Sequence, residues 1–242
     1  MEFILTESEF NEDNTAWNGN RFLMGNGYFG IRGTLEEYTK KQMCAVNMAG
    51  IYDKMGNSWR ESVNAPNPLY TYIKVNGKIY ALPDEKPKFH QQELDFRYGI
   101  HSRGTHWQTE HGNITVVCER FASIARQHNI AMKYTFSVDF DCEAEIITGI
   151  DGDVWDINGP HFVKMKIGSK DGADYVTGMT GEKNISVTVK EYIRTDFQAE
   201  QTNQNTDKSI FRHIKFSAKA EKEYIIEKIA EITTSVDDFG TS

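Results

Sequence analysis

Cysteine and proline are both scarce. Only three cysteines occur in 242 residues, Cys44, Cys118 and Cys142, and the five prolines leave long stretches free to form ladders. The cysteines are far apart, odd in number and contain no C-x-x-C pair, which excludes a complete disulfide framework. Free thiols in a reducing cytoplasm are the expected state. No block of Lys and Arg is present and the net charge is −8, so a nucleic-acid-binding face is not expected. No apolar run approaches the roughly 20 residues that span a bilayer. The opening MEFILTESEF has no basic region ahead of a long apolar core, so no signal peptide is expected there and no membrane partner follows.

What the chain does contain is β patterning. Hydrophobic residues make up 39% and charged residues 26%, a globular balance. Met132, Tyr134, Phe136, Val138 and Phe140 alternate with polar residues, as do Ile185, Val187 and Val189. Period two puts one face in a core and the other in water. Ile210, Ile214 and Phe216 keep the period, with Arg212 breaking it once. Asn76-Gly77 between 70–75 and 78–82 predicts a type I′ hairpin. Gly112-Asn113 marks a second hairpin, and Asp171-Gly172 and Gly181–Asn184 punctuate later strands. Long amphipathic helical patterns are missing. The expectation is one all-β, antiparallel sandwich domain over 1–242, with few or no long helices. Gln198–Lys208 reads as an exposed polar loop. The loss of periodicity over 231–242 reads as the start of a linker.

Gly25-Asn26-Gly27-Tyr28-Phe29-Gly30 fits the dinucleotide pattern G-x-G-x-x-G, with Asp53 further on. Its context disagrees: WNGNR precedes it where an apolar strand belongs, and Gly33 follows where a helix should begin. The glycines are read instead as supplying positive φ angles or close backbone packing. Asn26, Tyr28, Arg32, Glu36 and Glu37 crowd around this turn and are the candidates for lining a pocket or a domain interface. Adjacent residues on a strand point to opposite faces, so Glu36 and Glu37 are expected to anchor or ion-pair rather than flank one scissile bond.

Other constellations are weaker. On an extended segment His106 and Glu110 share a face while His111 points the other way, which leaves no third ligand, and Asp151, Asp153, Asp156 and Asn158 depart from the calcium-loop spacing, so no metal site is expected. Trp17, Trp59, Trp107 and Trp155 are the aromatic residues that would stack on a sugar, with Trp59 in MGNSWRES the best candidate for an exposed loop position.

The segment Phe22-Leu23-Met24-Gly25-Asn26-Gly27-Tyr28-Phe29-Gly30-Ile31-Arg32-Gly33, followed by Glu36-Glu37, resembles the N-terminal signature of glycoside hydrolase family 65. Glu119–Ser123 with His128, and Gly149–Val154 with Asn158, are similar to later elements of that family in the same order. The family includes phosphorylases for maltose, trehalose, kojibiose and nigerose. The resemblance implies a galactose-mutarotase-like β-supersandwich preceding an (α/α)6 catalytic barrel that this chain lacks, so no catalytic residue is carried over. It further implies a parent enzyme that cleaves an α-glucosidic disaccharide with inorganic phosphate and no other cofactor, inverting to β-glucose 1-phosphate. The domain's partners would be its own barrel and a second copy in a homodimer. A free-standing carbohydrate-binding β-sandwich module is the alternative.

Overall fold

A computed structural model describes residues 3–82 and 84–237. The first third of the chain forms β1 (Ile4–Glu7), the short helix α1 (Thr15–Arg21), β2 (Met24–Gly25), β3 (Phe29–Ile31), β4 (Val46–Asp53), β5 (Glu61–Asn64), β6 (Thr71–Val75) and β7 (Lys78–Tyr80). Next come β8 (Phe89–Asp95), β9 (Ile100–Gln108), β10 (Asn113–Ala122), β11 (Asn129–Val138) and β12 (Cys142–Ile150). The last third adds β13 (Phe162–Lys170), β14 (Ala173–Thr180), β15 (Ser186–Thr195), β16 (Glu200–Asn205), β17 (Ile210–Ala218) and β18 (Glu223–Thr234).

These strands make three antiparallel sheets. The largest has nine strands in the order β1-β8-β9-β10-β11-β18-β15-β14-β13, the second runs β16-β17-β12-β6-β7, and the third is β2-β3-β4-β5. Local hairpins build most of the first sheet, but β18 returns from the end of the chain to pair with β11 on one side and β15 on the other. That insertion joins the two halves of the sheet, and no local signal announces it.

The turns follow from residue chemistry. Asn76 and Gly77 both take positive φ, 49° and 80°, as a type I′ hairpin between β6 and β7 requires. Asp171 and Gly172 do the same between β13 and β14.

The core lies between the inner face of the nine-stranded sheet and the five-stranded sheet. Ile114, Val116, Phe136 and Ile226 from the first meet Ile73, Ile146 and Ile214 from the second, each at most 1% exposed. Burying side chains of this size contributes about 1.5–3 kcal/mol apiece relative to leaving them in water. Phe197, Phe216 and Tyr224 close one end, with Phe197 and Phe216 centroids 4.4 Å apart. Arg212, which breaks the alternation of β17, turns toward β14 and pairs with Asp174 at 2.5 Å.

Two expectations need correction. Within Gln198–Lys208, Glu200–Asn205 is β16, an edge strand paired with β17 and exposed at every position. An edge strand with water on both faces has no apolar period to read. Glu231–Thr234, expected at the start of a linker, completes β18 in register with β15. The rest of that expected linker, 238–242, lies outside the described residues.

Candidate functional site

The inward face of the nine-stranded sheet turns polar at its β8–β9–β10 end. His90 and Gln92, His101, Arg103 and Thr105, and Arg120 all occupy core-facing positions and are buried. Against this patch lies the turn holding Glu36 and Glu37. Arg103 donates from Nε to Glu36 Oε2 at 2.9 Å and from Nη2 to Glu37 Oε2 at 2.6 Å. Arg120 donates from Nη1 to Glu36 Oε1 at 2.6 Å and from Nη2 to the Thr34 carbonyl at 2.6 Å. Two guanidinium groups thus face two carboxylates at side-chain exposures of 2% or less.

Burial alone would raise the Glu36 carboxyl, but Arg120 and Arg103 outweigh it and hold it at about 2. Burial lowers His90 to about 4 and drives His101 well below the ordinary histidine range, with neighbouring arginines adding to both shifts. Burial raises the Glu37 carboxyl against the pull of Arg103, so within the cluster the firmly ionised carboxylate is Glu36 and the imidazoles beside it are neutral.

The expected ion-pair role of Glu36 and Glu37 agrees with this geometry, although the reasoning behind it does not. The pair sits in a turn, not a strand, so the two side chains converge on Arg103. Both are sealed in the interior, where no substrate reaches them.

The remaining residues of the glycine-rich segment are stitches within the chain. The segment is a hairpin of β2 and β3 preceded by α1, the reverse of the strand-then-helix order that a dinucleotide site needs. Asn26 Oδ1 accepts from the Tyr28 and Phe29 amides at 3.1 and 3.2 Å. Its Nδ2 donates to the Ser123 and Gln127 carbonyls at 2.7 and 2.9 Å. Tyr28 Oη donates to Asp237 Oδ2 at 2.6 Å, and its ring meets His128 edge-on at 4.2 Å. Arg32 donates to the Ala16 and Met43 carbonyls at 2.7 and 3.1 Å. Gly27 supplies a positive φ of 90°, whereas Gly33 is needed for closeness, since a Cβ there would lie 2.3 Å from Phe22 Cβ.

A second charged cluster leaves no trace in the sequence. His161 stands between Asp53 on β4 and Glu61 on β5: Nδ1 is 3.1 Å from Asp53 Oδ2 and Nε2 is 2.6 Å from Glu61 Oε1. Glu61 also accepts from the Ile157 and Asn158 amides at 3.1 and 2.8 Å and from Asn158 Nδ2 at 2.9 Å. Asp53 Oδ1 accepts from the Glu182 amide at 2.8 Å. Burial would lower the His161 imidazole, but Glu61 and Asp53 raise it above its ordinary value. Burial raises the nearby Asp156 carboxyl. Glu61, Asp156 and His161 place one ligand atom each within 4.8 Å of one another, a spacing compatible with a metal ion, but both His161 nitrogens already face the carboxylates of Asp53 and Glu61. The sequence predicts no metal site, because positions 53, 61, 156 and 161 share no local spacing and only the fold assembles them.

The other sequence candidates separate. His106 lies on β9, bonded to Thr115 at 2.8 Å, while Glu110 and His111 sit exposed at the hairpin tip. Asp151 accepts from Ser209 and Asp153 pairs with Lys40 and Lys208, whereas Asp156 and Asn158 lie beside Glu61, so the four calcium-loop candidates divide and share no single centre. Trp107 is 2% exposed and donates to the Glu85 carbonyl at 2.9 Å, which excludes it as a sugar platform. Trp17 and Trp59 are 62% and 64% exposed, and Trp59 lies in the hairpin loop between β4 and β5, in agreement with its expected exposure.

Comparisons with known proteins agree with the fold. The model of the N-terminal domain of glycosyl hydrolase family 65 matches residues 5–242. Nigerose phosphorylase of Lachnoclostridium phytofermentans is 39% identical over 98% of this chain and 34% of its own length. 1,2-alpha-Glucosylglycerol phosphorylase of Bacillus selenitireducens is 36% identical over 90% of the chain and 29% of its own length. Among solved structures, a putative kojibiose phosphorylase from human microbiome superposes with a TM-score of 0.85 at 20% identity, covering 99% of this chain and 33% of that one. The chain spans about a third of the length of the curated relatives it matches. With its glycine-rich hairpin clamped onto an antiparallel supersandwich and a family match from residue 5 to residue 242, the chain belongs to glycosyl hydrolase family 65 as its N-terminal domain.

Proposed function

We propose that the chain is the non-catalytic N-terminal domain of a cytoplasmic α-glucoside phosphorylase. The parent enzyme cleaves a disaccharide with inorganic phosphate as co-substrate, needs no other cofactor, and releases β-glucose 1-phosphate with inversion. In that chemistry the general acid and the attacking phosphate work from opposite faces of the sugar. The kinship with relatives named as phosphorylases of α-glucosides carries this reading. Three buried free cysteines fit a reducing compartment, and no helix among the described residues is long and apolar enough to cross a membrane.

The domain's task is to support the catalytic barrel, to contribute loops near the active-site entrance and to help pair two copies. Two charged clamps favour the supporting role. Glu36 and Glu37 fasten the glycine-rich lobe to the large sheet, and His161 fastens the 151–161 loop to β4 and β5.

The test compares the chain alone with the full-length protein. Each is incubated with nigerose, kojibiose, trehalose or 1,2-α-glucosylglycerol, with and without phosphate. Phosphate-dependent β-glucose 1-phosphate from the full-length protein alone is the expected result. Release of the α anomer, or hydrolysis indifferent to phosphate, would sink the proposal.

A second reading, a carbohydrate-binding module, has Trp59 in its favour as an exposed aromatic in a loop. Millimolar or tighter binding of these sugars by the isolated chain, lost in Trp59→Ala, would move it ahead.

A further inference from the structure

The outer face of the nine-stranded sheet carries an apolar row that strand register alone defines. Ile100 is opposite Phe121, Phe121 opposite Ala131, Ala131 opposite Ile229, and Ile229 opposite Tyr192, on β9, β10, β11, β18 and β15 in turn. All five belong to the face that alternates away from the core. Phe121, Ile229 and Tyr192 remain 42%, 46% and 47% exposed. The row borders a shallow depression of about 400 Å³. Isolated apolar side chains on a surface are ordinary, but a contiguous row across five strands with a charged row beside it marks an interaction surface.

The adjoining row identifies the partner. Two residues along each strand, Glu119, Lys133, Glu227 and Arg194 stand side by side on β10, β11, β18 and β15. Their charges run −, +, −, +. Reversing that order turns every sign into its opposite, so the row complements a reversed copy of itself. A two-fold axis lying between β11 and β18, parallel to the strands and in the plane of contact, performs this reversal. Glu119 then faces Arg194 of the second copy and Lys133 faces Glu227, while Phe121 meets Tyr192 and Ala131 meets Ile229. Such self-complementarity is what an isologous two-fold interface demands. Sheets that pack face to face with aligned strands bury rows in this way.

Resting on the proposal that the domain helps to pair two copies, we infer that this face, centred on Ala131 and Ile229, binds the same face of a second copy of the chain.

Glu119 and Arg194 provide the decisive test. Within one chain they are three strand spacings apart, about 14 Å, too far for an ion pair. Within the chain Arg194 is 3.8 Å from Glu227 and does not reach Glu119, so a direct pair between Glu119 and Arg194 is intermolecular. Sedimentation equilibrium is run on the 242-residue chain and on its full-length parent, with circular dichroism melts confirming that each variant folds. Both wild-type proteins are expected to dimerise. Phe121→Glu should weaken each dimer at least about tenfold, as should Glu119→Arg or Arg194→Glu alone. The combination of Glu119→Arg with Arg194→Glu should return the dissociation constant to within about threefold of wild type.

A parent that dimerises with no response to these variants overturns this face and leaves the pairing of two copies standing. A parent that stays monomeric overturns both. A chain that dimerises through this face while the parent's dimer ignores it shows that the rest of the parent covers the face, and also overturns the inference.

Discussion

Arg120 Nη1 donates to Glu36 Oε1 at 2.6 Å across 84 positions of sequence, with neither side chain exposed to water. This bond and the Arg103 pair tie the turn after the glycine-rich hairpin to the middle of the large sheet. A buried ion pair gains little over an apolar replacement of equal shape, because both charges lose their hydration. Breaking one half is a different matter. Glu36→Ala leaves two guanidinium groups facing one carboxylate, and the expected loss is about 3–5 kcal/mol in urea unfolding. Arg120→Met should cost a similar amount. A loss below about 1 kcal/mol for either would show that water enters the cluster and that the clamp is not tight.

The same clamp predicts an acid limb. Glu36 is held at about 2 in the folded chain, below its ordinary value of 4.5. A depressed carboxyl stabilises the fold fully above its unfolded pKa and loses that contribution as pH falls through the folded value. Stability measured from pH 5 downward should therefore decline toward about pH 2. In Glu36→Gln this part of the slope should disappear. An unchanged slope in that variant would remove Glu36 as its source.

His161 predicts the opposite direction. Its folded pKa is raised by Glu61 and Asp53, so its contribution is present in full below the unfolded value near 6.5 and is lost as pH rises through the folded value. The difference in unfolding free energy between the wild type and His161→Gln should shrink across that alkaline window. The protection of the Ile157 and Asn158 amides, which donate to Glu61, should fall over the same range once the intrinsic rise of exchange with pH is divided out. A difference that stays flat with pH would mean His161 is held neutral.

Much of this architecture is legible in the amino-acid sequence. Alternation at 132–138, 185–189 and 210–216 locates strands, and Asn76-Gly77 fixes its turn type, because these signals act between neighbours along the chain. Pairing between distant strands leaves no such trace. The insertion of β18 between β11 and β15 and the two-faced exposure of β16 come from tertiary context. The site divides the same way. Glu36 and Glu37 stand out as an acidic pair beside a glycine turn and Arg120 lies in the family-like segment Glu119–Ser123, but nothing local joins Arg120 or Arg103 to the acidic pair. Asp53, Glu61 and His161 are brought together by β4, β5 and the 151–161 loop, with no motif to join them.

The tryptophans give a contrast within one residue type. Trp107 is 2% exposed and bonded through its indole N–H, so Trp107→Ala should cost about 3–5 kcal/mol. Trp59 is 64% exposed, and Trp59→Ala should change stability by no more than about 0.5 kcal/mol. A large loss at Trp59 would show that its ring is anchored by the fold and is not free to meet a ligand.

Gly27 and Gly33 separate the two uses of glycine in the family-like segment. Gly27 has a φ of 90° and open space where a Cβ would stand, so Gly27→Ala meets backbone strain alone and should cost about 1–2 kcal/mol. Gly33 has no positive φ, but an added Cβ would lie 2.3 Å from Phe22 Cβ and 2.6 Å from the Phe22 carbonyl carbon. Phe22 is wholly buried, so it has nowhere to retreat. Interiors packed to crystal density transmit such an overlap instead of absorbing it. Gly33→Ala should therefore destabilise by clearly more than Gly27→Ala, in thermal melts of the two variants side by side. If the order were reversed, the glycine-rich segment would owe its composition to turn conformation and not to the contact between the hairpin and Phe22.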